Sequence, residues 1–335
     1  MTTRRRNSFR RKLLFAGLTV TGFFVLVEAG LRIVGIDPPL DSVLILRDID
    51  VDIEYPFMQP DRELFWAPVP GFQDRFRGKE TTINALGLRG AEISVPKPTT
   101  KKRILCFGDS ITFGYGVSDR ESYPFLLGEL LSPRGVEVVN AGVTGYSSYQ
   151  VLRLARRLAR TLEPDIALFL VGWNDGTLRP VDDQTYARRF RLSTAVDWIS
   201  GYSFLHGLLK TLYLRSFEHE WETPPETPRV SLADYRITLE ALVEEYRSRN
   251  IAPFFIDLPR RKQAGEETTR SSYSEVLREV GRELSVPVID PGHLGLKSPL
   301  DTNAHYFIDT LHLSPPGNAY LAERIVRKLA ELGAL

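Results

Sequence analysis

Cysteine occurs once in the 335-residue chain, as Cys106. A lone thiol excludes an internal disulfide framework and a multi-cysteine zinc site, and within its apolar run Cys106 reads as an inert buried side chain. Histidine is sparse too, with five residues. His206, His219 and His293 are scattered, which argues against a metal site, and no cofactor is expected. Neither sign of charge is in excess: 43 Lys and Arg stand against 42 Asp and Glu, a net charge of +1, so nothing global points to a nucleic-acid partner. With 43% apolar and 25% charged residues, the composition is not that of a disordered, collagenous or polytopic membrane chain. No internal repeat is present, and the length allows one large domain with a smaller addition, or two domains.

The charge asymmetry that does exist sits at the amino terminus. Arg4, Arg5, Arg6, Arg10, Arg11 and Lys12 precede any acid, leaving 37 basic against 42 acidic residues in the remainder. Leu13 to Val27 follows without a charge, and the apolar pattern continues to Ile36. As one helix, Leu13 to Ile36 would be roughly 36 Å long, enough to cross a hydrocarbon core of about 30 Å, with Glu28 and Arg32 as an i,i+4 pair at the far interface. Residues 1–36 therefore read as a cytoplasmic basic tail and signal anchor. The alternatives are a cleaved signal peptide, with Val27-Glu28-Ala29 as a weak small-residue cleavage site, and a buried core helix. An anchor gives a single-pass inner-membrane protein with an extracytoplasmic domain under the positive-inside rule; cleavage gives a secreted one.

Residues 37–102 are rich in proline, aromatics and charge, and read as an irregular membrane-proximal segment whose most ordered part is a strand and turn at Thr81 to Gly90. Pro96 to Lys102 is a linker. From 103 to 335 the pattern is α/β. Ile104 to Phe107, Val136 to Val139, Ile166 to Val171, Pro253 to Leu258 and Pro287 to Ile289 are short apolar strands. Helices are predicted at Tyr123 to Leu131, after Ser147 with Gln150 as a capping box, at Leu232 to Arg247, at Tyr273 to Glu283, and after the Ser314-Pro315 cap. In the helix after Ser147, Val151, Leu154, Ala155, Leu158 and Leu162 share one face. Arg153, Arg156, Arg157 and Arg160 form the other, a solvated face rather than a binding patch.

Alternating strands and helices predict an α/β, doubly wound, mainly parallel sheet, with its ligand site outside the carboxyl ends of the strands. Residues 176–230 interrupt the alternation. Their apolar middle, Trp198 to Phe217, and acidic, proline-rich end, Glu218 to Pro228, predict a helical cap insertion over the site. Phe204, Leu205, Leu208, Leu209 and Leu212 pack that cap on the domain, the alternative being a lipid- or acyl-facing surface.

Four groups of residues fall at strand ends: Gly108-Asp109-Ser110, Asn140-Ala141-Gly142, Gly172-Trp173-Asn174-Asp175 and, before the last helix, Asp309-Thr310-Leu311-His312. A serine hydroxyl needs a base to act as a nucleophile. His312 supplies one for Ser110, and Asp309, three residues earlier, fixes its tautomer. His305 is a rival base that lacks an acid at comparable spacing. An oxyanion hole needs donors, for which the N–H groups of Ser110 and Gly142 and the amide of Asn174 are suited.

These residues resemble the SGNH hydrolases, or GDSL esterases and lipases, over about Arg103 to Leu335. Gly108-Asp109-Ser110 is similar to the family's nucleophile block, Gly142 to its glycine block, Asn174 to its asparagine block, and Asp309 to His312 to its acid-histidine block. Upstream, Asn84 to Gly90, an Asn-x-x-Gly-x-Arg pattern, resembles the segment preceding the domain in bacterial membrane-anchored members. The resemblance implies a flavodoxin-like fold and a metal-free serine esterase acting on a lipid or acylated glycan through an acyl-enzyme. The alternatives are an O-acyltransferase acting on an extracytoplasmic polysaccharide, or a non-catalytic glycan-binding or assembly protein that keeps the fold.

Overall fold

A computed structural model of the chain describes residues 2–34, 55–61, 63–194, 226–259, 261, 271–292 and 304–335. Helix α1 (Thr2–Val34) contains an apolar stretch, Phe15–Val34, with a mean hydropathy of 1.6 and none of it buried. One turn apart on it, Arg32 donates to Glu28 at 2.9 Å.

Residues 37–102 read from sequence as irregular, but their described part holds hairpins. Strand β1 (Met58–Asp61) pairs antiparallel with β2 (Phe65–Pro68), and β3 (Gln73–Phe76) with β4 (Lys79–Thr82). Four-residue strands are too short to establish a period of two. What holds them is tertiary burial: Phe57, Leu64, Phe65, Trp66, Phe76, Ile83 and Leu88 share one apolar cluster with Leu105, Phe107 and Phe113 of the α/β region. The turn that follows is closed by Asn84, whose Oδ1 accepts from the N–H of Leu86 at 3.0 Å and of Leu88 at 3.1 Å.

The α/β region runs β5 (Lys102–Gly108), α2 (Ser110–Phe113), α3 (Tyr123–Leu131), β6 (Val136–Gly142), α4 (Ser148–Leu162), β7 (Ile166–Leu170), β8 (Leu178–Arg179), α5 (Asp183–Thr194), β9 (Thr227–Pro228), α6 (Leu232–Arg247), β10 (Ala252–Ile256), α7 (Ser272–Glu283), β11 (Val288–Ile289) and α8 (Pro315–Glu331). The central sheet has the order β11-β10-β7-β5-β6 and every pair is parallel. Alternate side chains feed two cores. Leu105, Phe107, Ala167, Phe169 and Phe255 face α4, α6 and α7; Ile104, Cys106, Leu168, Phe254 and Ile256 face α3 and α8. With both faces covered, the strands must be apolar throughout, as their sequences are. The strand order reverses between β5 and β7, the switch point at which ligands bind in such sheets.

Of the expected cap, the described residues include a short antiparallel pair, β8 with β9, and helix α5. A buried ion pair within it joins Arg229 to Asp183 at 3.0 Å, and Arg229 ties it to the body by donating to the Gly145 carbonyl at 2.7 Å. The apolar middle of the cap lies outside the described residues, as do His206, His219 and His293. The arginine face of α4 is ion-paired: Arg157 meets Asp61 at 2.8 Å and Glu63 at 3.1 Å, and Arg156 meets Glu245 at 3.5 Å.

Candidate active site

Strand β5 ends at Gly108, and the chain turns directly into α2. The turn is capped by Asp109, whose Oδ1 accepts the Ile111 N–H at 2.9 Å. Because Asp109 takes the capping role, the hydroxyl of Ser110 is left for other partners. It lies 2.8 Å from Nε2 of His312. Nδ1 of His312 is 2.7 Å from Asp309 Oδ2, while Asp309 Oδ1 accepts the N–H groups of Leu311 and His312, both at 2.7 Å. The loop carrying them is pinned at its base, where the Ile308 N–H donates to the His312 carbonyl at 2.9 Å and the Ser314 N–H to the Tyr306 carbonyl at 3.0 Å. His305 lies edge-on to Tyr306; the imidazole that meets Ser110 is that of His312.

Partial burial works to raise the Asp309 carboxyl, but hydrogen bonds from the His312 ring and from the N–H groups of His312 and Leu311 outweigh it and lower it to about 2. An ionised Asp309 requires a proton on Nδ1, which leaves the Nε2 lone pair facing the Ser110 hydroxyl. Tyr115 flanks the imidazole, with ring centroids 4.5 Å apart. Asp109 behaves differently. Its burial, only partly offset by the Ile111 N–H and by His312, pushes it up to about 6.

Asn174 follows β7 across the switch point. Its Nδ2 donates to the Tyr146 carbonyl at 3.0 Å and, over a longer 3.4 Å, to Oδ2 of Asp109. The second N–H is therefore weakly held.

Gly142 departs from the sequence reading. Its N–H is already bound to Oδ1 of Asn140 at 3.0 Å, and it is a glycine for steric reasons: a Cβ there would come within 2.3 Å of the Phe113 backbone nitrogen in α2. A second candidate donor, the Gly145 N–H, lies three residues on. The Tyr146 N–H returns to the Val143 carbonyl at 3.2 Å, closing a β-turn in which Gly145 has φ +78. That value at the third position is the mark of a type II turn and favours glycine. Among the described residues the Gly145 N–H has no acceptor. Gly142 ends β6 and Gly145 stands in the turn beyond it, so what distinguishes their N–H groups is the turn type and the Asn140 side chain, neither of which is written in the local sequence. The Ser110 N–H, first in α2, has no intrahelical partner either.

Below this loop lies a buried polar network. Arg229 donates to the Gly145 carbonyl at 2.7 Å, to Gln150 Oε1 at 2.6 Å and to Asp183. Asp175 accepts the Ser148 N–H at 3.1 Å and the Ser148 hydroxyl, and burial pushes its carboxyl up to about 7. Among the described residues, no three His, Cys, Asp or Glu side chains are grouped so as to hold a metal ion.

The family model described as the GDSL-like lipase/acylhydrolase family matches residues 106–320. No curated protein matches the chain. Among solved structures, a psychrotrophic esterase from Pseudoalteromonas sp. is 14% identical, with 70% of this chain and 100% of that chain covered and a TM-score of 0.45. A lipase/acylhydrolase from Enterococcus faecalis is 22% identical over 68% of this chain and 95% of that one, TM-score 0.42. A GDSL-like lipase from Bacteroides thetaiotaomicron is 15% identical over 70% and 89%, TM-score 0.39.

Proposed function

Because the chain belongs to the GDSL-like lipase/acylhydrolase family, we propose that it hydrolyses acyl esters of a lipid or acylated glycan, with Ser110 as nucleophile, His312 as base and Asp309 as the acid that orients it. The observation that carries this reading is the continuous chain from Ser110 Oγ to His312 Nε2 at 2.8 Å and from His312 Nδ1 to Asp309 at 2.7 Å. As Ser110 Oγ bonds to the acyl carbon, its proton passes to Nε2 and the carbonyl π pair moves onto oxygen. The N–H groups of Ser110 and Gly145, with the weakly held amide N–H of Asn174, receive that oxyanion; Gly145 takes the place the sequence assigned to Gly142. Collapse expels the alcohol, protonated from Nε2. Water, deprotonated by His312, then attacks the acyl-enzyme, releasing the acid and restoring Ser110.

The apolar stretch of α1, preceded by six basic residues, supports a signal anchor that leaves the catalytic region outside the cytoplasm. The decisive test is labelling by a fluorophosphonate together with turnover of p-nitrophenyl esters of graded chain length. Wild type is labelled on Ser110 and turns over esters, and Ser110→Ala does neither. Folded wild-type protein that resists the probe, or a Ser110→Ala variant that still hydrolyses esters, overturns the reading.

A further inference from the structure

Gly145 shares a peptide plane with Thr144, and in a trans peptide the C=O of one residue and the N–H of the next point in opposite directions. Whatever fixes the Thr144 carbonyl therefore aims the Gly145 N–H. That carbonyl accepts a hydrogen bond from Nε1 of Trp66 at 3.1 Å, in buried surroundings. Trp66 belongs to β2, in the membrane-proximal hairpins and well before residue 106, where the family match begins.

From this geometry we propose that Trp66 is a positioning residue for the oxyanion hole, so that the segment before the α/β region forms part of the catalytic apparatus. The proposal rests on the assignment of the Gly145 N–H as an oxyanion donor. A type II turn differs from a type I turn chiefly in the orientation of its central peptide, here the Thr144–Gly145 plane. Rotated to the type I orientation, the plane would turn the Gly145 N–H away from the face it now presents. The indole N–H makes that rotation unfavourable, since it would leave a buried donor and a buried acceptor both unpaired.

Trp66 is itself held on several sides. Its carbonyl accepts the Tyr146 hydroxyl at 2.6 Å, and its ring meets Tyr146 edge-on with centroids 5.7 Å apart. The Arg229 guanidinium lies 5.8 Å from the indole ring while donating to the Gly145 carbonyl, the next peptide along. The preceding Phe65 has φ +67, a conformation bulky residues rarely adopt, and its ring is packed against Tyr149 and Tyr186. Trp66 thus reaches Thr144 from a hairpin end with little freedom to retreat.

The test is Trp66→Phe in the full chain, which keeps an aromatic ring and removes the N–H. Deleting an oxyanion donor outright costs about 10²–10³ in kcat; a donor left in place but unaligned costs less, roughly 10-fold, with KM within about twofold because the interaction belongs to the transition state. Binding of a boronic acid transition-state analogue weakens by a similar factor. A purely structural role lowers Tm and leaves kcat per folded molecule unchanged, which overturns the proposal. Should Trp66→Phe not fold, Tyr146→Phe, which releases the Trp66 carbonyl, serves instead: a fall in kcat at constant KM is expected, and an unchanged kcat overturns the proposal. Failure of the underlying reading is distinguishable, because there Ser110 itself resists the fluorophosphonate or Ser110→Ala stays active.

Discussion

Asp175 is a fully buried carboxyl whose hydrogen bonds come from Ser148, and burial raises it to about 7. An unfolded aspartate titrates near 3.9. Between about pH 4 and 7 the folded chain therefore holds a proton that the unfolded chain has released. Stability falls as pH rises through that window, by at most roughly 4 kcal/mol at about 1.4 kcal/mol per unit. Asp175→Asn has no proton to lose. Its stability relative to wild type is expected to improve by a few kcal/mol between pH 4 and pH 8, measured by urea unfolding at both values; parallel pH profiles would mean that Arg229 keeps Asp175 ionised throughout. Asp109, also raised, is present in both proteins and cancels. At this scale the sequence was informative where one turn of chain fixes the geometry. Asp309 and His312 are three residues apart, and the carboxylate reaches both the ring and its backbone. It was uninformative where a donor's freedom depends on distant groups: Asn140 occupies the Gly142 N–H, and an indole dozens of residues upstream aims that of Gly145.

Helix α2, from Ser110 to Phe113, is too short to be stable alone, since one hydrogen-bonded turn does not repay its nucleation. It is held from outside. Arg89, buried beneath it, donates to the carbonyls of Phe113 at 2.6 Å, Gly114 at 2.7 Å and Val117 at 2.8 Å, and pairs with Asp119 at 2.8 Å. Asn140 adds a bond to the Phe113 carbonyl at 3.2 Å. Arg89→Met removes the partner of the Asp119 carboxylate and of the Val117 carbonyl and weakens the hold on those of Phe113 and Gly114, so a loss of about 3–5 kcal/mol is expected in denaturant unfolding; an unchanged midpoint would show that water replaces the guanidinium without cost. The elements of the sheet were legible because burial on both faces writes continuous apolar runs. The helices were legible because their apolar stripes and caps are local: α3 and α6 have the bounds expected, and Ser314 caps α8 as its sequence suggests. The hairpins β1 to β4 were not. Their four-residue strands are stabilised by rings from other parts of the chain, such as the Phe57–Phe113 stack at 5.3 Å, a cause that leaves no period in the local sequence.

For the whole molecule, the same aromatic cluster decides where the catalytic unit begins. The family match starts at residue 106, and a fragment from 103 would keep every strand-end group of the site. It would also lack Phe57, Leu64, Phe65, Trp66, Phe76, Ile83 and Leu88, and with them their share of the apolar cluster, including the ring that stacks on Phe113. Each such side chain contributes about 1.5–3 kcal/mol when fully buried, so the group rivals the whole stability of an ordinary domain, roughly 5–15 kcal/mol. The fragment would lose the Arg89 clamp on α2 and the Trp66 hold on the Gly145 turn as well. We expect residues 55–335, without α1, to express as a folded, fluorophosphonate-reactive protein, and residues 103–335 to aggregate or remain unfolded by circular dichroism. A cooperative thermal transition and normal labelling in the shorter fragment would show that the hairpins are an accessory layer, and would detach the segment before the α/β region from catalysis altogether.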